Sequence, residues 1–339
     1  MTAAAVGIVW AAFQPDVIDV VATRFSPPTP TMTPAPATPT VPVLAGKTVA
    51  QAKGRFTSLA APPNVAGDPS AVAGTDGRHI VVLDDVGEIV SLAMGSLEIT
   101  RLPVAKQPGV LPAPAGFVAR GLFAAGGAVV PRDDGTILFD PSGSIALVPR
   151  AGQPMRPLKV KSQGAWVSPV AAVVYGTSMY VFDSGTPVAG QPSAGNVWRH
   201  PLTAGGNYEA DAVAWLAPGQ RVDLTLASDV ATDGAFWVSR RDGTIVRLAA
   251  GKAEVLTLTG GALTSRLGAI YTDQGTESLY VVDETSRRLL RIGKDGVIGG
   301  FVDAVLSPGE AARGLWVDVD AKSAVVVTTS RVVVVPLPG

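Results

Sequence analysis

The sequence predicts an all-β fold, a ring of four-stranded sheets around a central axis, and three observations predict it. From Gly67 to Gly339, short apolar runs alternate with turns rich in Gly, Asp, Pro and Ser, and helical periodicity is nearly absent. One unit recurs: an apolar strand, a Gly-bearing turn, a strong apolar or aromatic strand, a polar turn, then a strand carrying Ile or Leu beside a basic residue. The polar residue that closes the central strand falls at Asp84, Asp140, Asp183, Ser239, Asp283 and Thr328, in steps of 56, 43, 56, 44 and 45 residues. A repeat of roughly 40–50 residues holding several short strands has the size of a β-propeller blade. Six blades is the expected count, or seven if the long third repeat hides a degenerate one.

The chain divides into three parts. Residues 1–25 open on thirteen residues without a charged side chain, MTAAAVGIVWAAF. That run is shorter than the ~20 residues that span a bilayer core, and no Lys or Arg precedes it as in a signal peptide. The reading is that the chain begins partway through a longer membrane or export segment; a short apolar helix docked on the domain is the alternative. Residues 26–45 form a stalk, with seven prolines in the seventeen residues from Ser26 to Pro42 and no charge. Proline fixes φ and lacks an N–H, so this stretch favours extended polyproline II, rising about 3.1 Å per residue. An apolar run, a Pro/Thr stalk and a β-rich globule in that order suit an ectodomain held outside a membrane; a plain interdomain linker is the alternative. Residues 46–339 are the propeller domain.

The last repeat supplies an inner strand (Leu315–Val319), a second (Ala324–Thr328) and a third (Val332–Pro336), but no fourth. An orphan β-like run, residues 54–60, precedes the first repeat. It is expected to pair with the last blade as its fourth strand and close the ring, which removes a hazardous free edge.

Composition excludes several function classes. Among 339 residues, 27 basic and 28 acidic side chains give a formal charge of −1, without the basic footprint of a nucleic-acid binder. The absence of Cys removes disulfides, Cys-ligated zinc and a cysteine nucleophile. The only two histidines, His79 and His200, are far apart in sequence and lie in strand patterns, so a His-rich metal site is not expected. The aromatics Tyr180, Trp198, Trp237, Tyr280 and Trp316 fall on strand positions and are expected to pack between blades.

The fifth repeat, SLYVVDETSRRLLRIGKDG (278–296), and the fourth, GAFWVSRRDGTIVRLAAG (234–251), resemble blades of the NHL-type and SMP-30/YVTN-like propellers. The resemblance covers the repeats and not the first 60 residues. It implies a propeller architecture and leaves the function open, because propellers host enzymes, receptors and scaffolds. A lactonase of the SMP-30 type holds a Ca²⁺ with Glu, Asn and Asp from inner-strand ends. This chain has three Asn, none at such a place, and only Asp68 and Asp229 as carboxylates there. No cofactor is expected, and Ca²⁺ is the one weighed against that reading.

The candidate site is basic. Arg120-Gly121-Leu122-Phe123 matches Arg313-Gly314-Leu315-Trp316, and Arg266-Leu267-Gly268-Ala269-Ile270 repeats the pattern with one residue inserted. This position begins the innermost strand, at the rim of the channel. Converging guanidinium forks would make a positive mouth for carboxylate or phosphate, with Asp68 and Ser228 on the same rim. Three solvated loop arginines are the plainer alternative. The leading expectation is a non-enzymatic, extracytoplasmic propeller that binds a protein partner or a small anionic ligand, as sensor or scaffold of a larger membrane protein. Two alternatives are a divalent-metal-dependent hydrolase or lactonase, and a structural subunit of a larger membrane-associated assembly.

Overall fold

A computed structural model describes the strands from Val43 onward, and describes residues 156–161, 165–186, 195–261 and 266–339 with their side chains, together with Arg132, Ile137, Ile145 and Leu147. The expected apolar segment (1–25) and most of the stalk lie outside the described residues, as do Asp68 and Arg120.

Two short strands, β1 (Val43–Leu44) and β2 (Ala50–Lys53), come first. The first sheet then follows as β3 (Phe56–Asn64), β4 (His79–Asp84), β5 (Ile89–Ala93) and β6 (Ile99–Leu102), and the second as β7 (Ala128–Arg132), β8 (Gly135–Phe139), β9 (Ile145–Pro149) and β10 (Arg156–Pro157). The third comprises β11 (Pro169–Tyr175), β12 (Ser178–Asp183), β13 (Asn196–Pro201) and β14 (Val213–Ala214). The fourth comprises β15 (Ala227–Thr232), β16 (Phe236–Arg240), β17 (Ile245–Ala249) and β18 (Lys252–Leu256). In the fifth, β19 (Leu267–Tyr271), β20 (Ser278–Asp283), β21 (Arg288–Gly293) and β22 (Ile298–Val302) pair in turn, and β1 adds itself parallel to β22. The sixth runs β23 (Ala312–Asp318), β24 (Ser323–Thr328), β25 (Arg331–Pro336) and then β2. The first strand of each sheet lies against the first strand of the next. The architecture is an all-β propeller. Four blades, the third to the sixth sheets, are described with their side chains, fewer than the six or seven expected from the repeats.

The closing strand differs from expectation. Ala50–Lys53 pairs antiparallel with β25, Ala50 opposite Val334 and Lys53 opposite Arg331. The expected closer, 54–60, falls largely within β3, which pairs with β4 as the inner strand of the first sheet. The sequence AQAK carries little β propensity, whereas Phe56 onward carries much, so the stronger run drew the assignment.

Side-chain alternation explains how the blades stack. Along β12, Met179 and Val181 pack with Ile137, Ile145 and Leu147 of the second sheet, while Tyr180 and Phe182 pack with Phe236 and Val238 of the fourth. Along β16, Trp237 turns the other way and joins Leu267, Ile270 and Leu279 of the fifth. Each central strand is therefore buried on both faces and reads as a continuous apolar run. The expectation of core packing holds for Tyr180, Trp237 and Tyr280, all buried, and Trp198 packs against the core beside Val181. Trp316 is half-buried on β23 and lines a cleft with Tyr271 and Asp318.

The polar residues that mark the repeat are internal pins. Asp183, Ser239, Asp283 and Thr328 are almost wholly buried. Asp183 accepts the N–H groups of Val167, Ser168 and Gly185, at 2.7 to 3.0 Å. Asp283 accepts Thr285 N–H and Ser286 N–H, and Ser239 donates to the Gly268 carbonyl of the next sheet at 2.5 Å. Turn amides that would otherwise be orphaned are satisfied this way.

His200 on β13 is fully buried, and its Nε2 accepts the Trp166 indole N–H at 3.0 Å. Among the described residues its Nδ1 has no partner. Burial holds its pKa down at about 4, against an ordinary 6.5. The folded state thus keeps a neutral ring that the unfolded chain protonates. Stability is complete above about 6.5 and falls as the pH drops towards 4, by on the order of 3 kcal/mol. Urea titrations at pH 7 and pH 4.5 should show this fall, and His200→Gln, which keeps an acceptor for Trp166, should flatten it.

Candidate functional site

The inner strands of the third to sixth sheets each begin with a register shift: between Pro169 and Ala171, Ala227 and Asp229, Leu267 and Ile270, and Ala312 and Gly314. A bulge places an extra residue and re-aims its side chain. Ser228 and Arg313 are those extra residues in β15 and β23, and Arg266 immediately precedes β19. Three consecutive blades therefore set a predicted site residue at the same end of the ring. Arg120 and Asp68, the other two, lie outside the described residues.

The three positions differ in their surroundings. Ser228 is exposed. Arg313 is half-buried and, among the described residues, has no hydrogen-bond or ion-pair partner. Arg266 is 54 % exposed, and its Nε donates to Glu284 Oε2 at 2.6 Å. The two Nη groups remain at the open end of that side chain. Glu284 itself is 9 % exposed, and its Oε1 accepts Ala312 N–H of the next inner strand at 2.9 Å. It crosses Gly268 so closely that a Cβ there would lie 2.8 Å from Oε1, which explains the glycine in the Arg-Leu-Gly pattern. Glu284 gave no sequence signal, because no other repeat carries a Glu at the position after its polar anchor.

Asp229, weighed above as a calcium ligand, also braces the seam. Its Oδ1 accepts Val230 N–H at 2.8 Å and its Oδ2 accepts Ile270 N–H of β19 at 3.1 Å. Burial pushes its carboxyl up to about 6, and those two bonds pull against the rise. Asp229 is thus spent on backbone N–H groups, and Glu284 on one backbone N–H and the Nε of Arg266, which leaves the outer ends of Arg266 and Arg313 as the outward chemistry. Among the described residues, no group of three or more His, Asp or Glu stands ready to hold a metal ion.

Against solved structures the chain is similar to a structural-genomics protein of unknown function from Bacteroides thetaiotaomicron. The TM-score is 0.52 at 14 % identity, over 86 % of this chain and 72 % of that one. The fold is a β-propeller. It is similar also to YCF48 from Cyanidioschyzon merolae, with a TM-score of 0.50 at 9 % identity, over 85 % of this propeller and 99 % of that chain. A structure of YCF48 bound to D1 peptide aligns with a TM-score of 0.47 at 10 % identity, over 88 % and 99 % of the two chains. No family model and no curated protein matches the propeller. Identities this low speak to architecture alone.

Proposed function

We propose that this chain is a non-enzymatic binding propeller of six blades, akin to the NHL-type and SMP-30/YVTN-like rings, that captures carboxylate-bearing partners at its arginine-lined channel mouth. The observation that carries this reading is the placement of Ser228, Arg266 and Arg313 at the starts of three successive inner strands. A planar guanidinium donates two parallel bonds to a carboxylate, and an arginine held on a rigid strand loses little freedom in doing so. The partner is an acidic segment of a protein or a small organic anion. Six sheets whose first strands neighbour one another in a closed order support the blade count. The Pro/Thr stalk and the apolar first residues support an extracytoplasmic propeller tethered to a membrane, serving as sensor or scaffold of a larger protein.

Calorimetric titration of the whole chain with poly-glutamate and with citrate tests the site. Wild-type protein should bind, and Arg266→Ala with Arg313→Ala should weaken binding about tenfold per arginine at low salt. Arg120→Ala should deepen the loss, while Lys252→Ala on the outer strand β18 should leave binding intact. Equal affinity in the triple variant would sink the assignment.

A further inference from the structure

Beyond the mouth, the same face holds charges that divide by sign. Strands β16 and β20 run antiparallel to the inner strands β15 and β19, so the turns that follow them, 241–244 and 284–287, stand on the face of the mouth. Neighbouring strands lie about 4.8 Å apart, which puts each turn roughly 7 Å further from the axis than its inner strand. Both turns are tied to the rim. Arg241 N–H donates to the Leu226 carbonyl at 2.8 Å, two residues before Ser228, and Glu284 N–H donates to the Arg266 carbonyl at 3.0 Å.

The carboxylates described on this face are engaged by the chain's own groups. Arg240 serves both Asp223 and Asp242, at 3.5 and 3.0 Å, Arg288 donates to Asp303 at 2.6 Å, and Arg331 holds Glu310. The cations are not all so matched. Arg241 is exposed, and its Nη2 donates to the Thr225 carbonyl at 3.0 Å, which leaves its charge unopposed. Arg287 is exposed and, among the described residues, its side chain has no hydrogen-bond or ion-pair partner. Its φ of 59° lies in the left-handed region, where glycine is favoured and an arginine is strained. The turn of the fourth sheet meets the same need with Gly243, at φ 82°. An arginine kept in that conformation points to work done by its side chain. Leu226, beside Arg241, leaves an apolar side chain 37 % exposed.

We propose that this face binds an acidic polypeptide segment, which runs outward from the mouth across Arg287 and Arg241 and lays an apolar side chain on Leu226. This partner is the polypeptide member of the class assigned to the mouth above, and its binding rests on that assignment. A compact anion fills the mouth without reaching turns roughly 7 Å outward, whereas an extended chain covers that distance in two or three residues at about 3.3 Å each. Neither turn offers an aromatic ring on which a base could stack. Leu226 adds an apolar contact that a peptide side chain can use and a phosphate or sulfate backbone cannot.

Calorimetry of the whole chain with poly-glutamate, a Glu-Glu-Leu repeat peptide and citrate tests it. At low salt, Arg241→Ala and Arg287→Gly should each weaken poly-glutamate about threefold and leave citrate unchanged. Arg266→Ala with Arg313→Ala should weaken both. The Glu-Glu-Leu peptide should bind more tightly than poly-glutamate of equal charge, an advantage lost in Leu226→Ser. Arg287→Gly relieves the strained φ and should hold or raise the melting temperature, so it stays decisive if the other variants melt early. Lys252→Ala, the same charge loss on β18, should change neither ligand. If citrate binds and the two turn variants hold poly-glutamate as wild type does, the extended path is overturned and the mouth stands. If neither citrate nor poly-glutamate binds, the mouth falls and the path with it. Heparin or single-stranded DNA binding more tightly than the Glu-Glu-Leu peptide also overturns the proposal.

Discussion

Phe236→Ala is expected to lower the unfolding free energy by about 3–5 kcal/mol, the range for emptying a well-packed aromatic site. Phe236 is 2 % exposed and sits where the third and fourth sheets meet. Its ring centroid lies 4.7 Å from that of Tyr180, 5.2 Å from that of Trp215 and 5.3 Å from that of Phe182. Tyr180 and Phe182 are fixed on β12 and Trp215 directly follows β14, all in the third sheet, so they cannot close together over the hole and little of the loss is recovered by relaxation. Chemical denaturation read by circular dichroism measures the change. A loss under about 1 kcal/mol would mean that the seam repacks freely, contrary to close-packed interiors.

Glu310→Ala should cost a similar amount, about 3–5 kcal/mol, by a different route. The carboxylate is 7 % exposed and faces Arg331, itself 15 % exposed. Arg331 donates to it through Nε at 3.1 Å and Nη2 at 3.0 Å, and Ser307 N–H, Thr328 Oγ and Ser330 Oγ donate as well. Removing the acid takes the facing carboxylate from a nearly buried guanidinium, which then has only its other partners, such as the Val305 carbonyl. Burial pushes the Glu310 carboxyl up, but the bonds from Arg331, Ser330, Ser307 and Thr328 outweigh it and bring its pKa to about 2. Its folded value lies below the unfolded one, so its contribution is present above about 4.5 and is lost as the pH falls towards 2. A stability–pH profile of wild type and Glu310→Gln should converge in that window; parallel profiles would show that the network contributes nothing. The two acid-labile groups act in succession on acidification, His200 first and Glu310 below it.

Much of this propeller was legible in the residues. Of the polar anchors chosen to phase the repeat, Asp183, Asp283 and Thr328 close their strands and accept turn N–H groups, while Ser239 donates across to the next sheet. Arg266, Arg313 and Ser228 were found because the start of an inner strand recurs in every repeat. Glu284 and Glu310 were not, because their partners Arg266, Ala312 and Arg331 lie 18 to 28 positions away, and local pattern contains no trace of such a pairing. The closing strand was misplaced for a related reason: pairing of Ala50–Lys53 with β25 is decided by ring closure, not by the propensity of AQAK.

The way β1 and β2 enter the ring has a mechanical consequence. Tension entering at Val43 meets β1 first, two residues lying parallel on β22, then β2, four residues antiparallel on β25. The two-residue pairing of β1 gives way at a smaller load than the four-residue pairing of β2 and leaves the blades in place. Only after it opens does force reach β2, the link that joins the sixth sheet to the first. A pull on this molecule is therefore absorbed by a weak fuse before it can break the circle on which both faces depend.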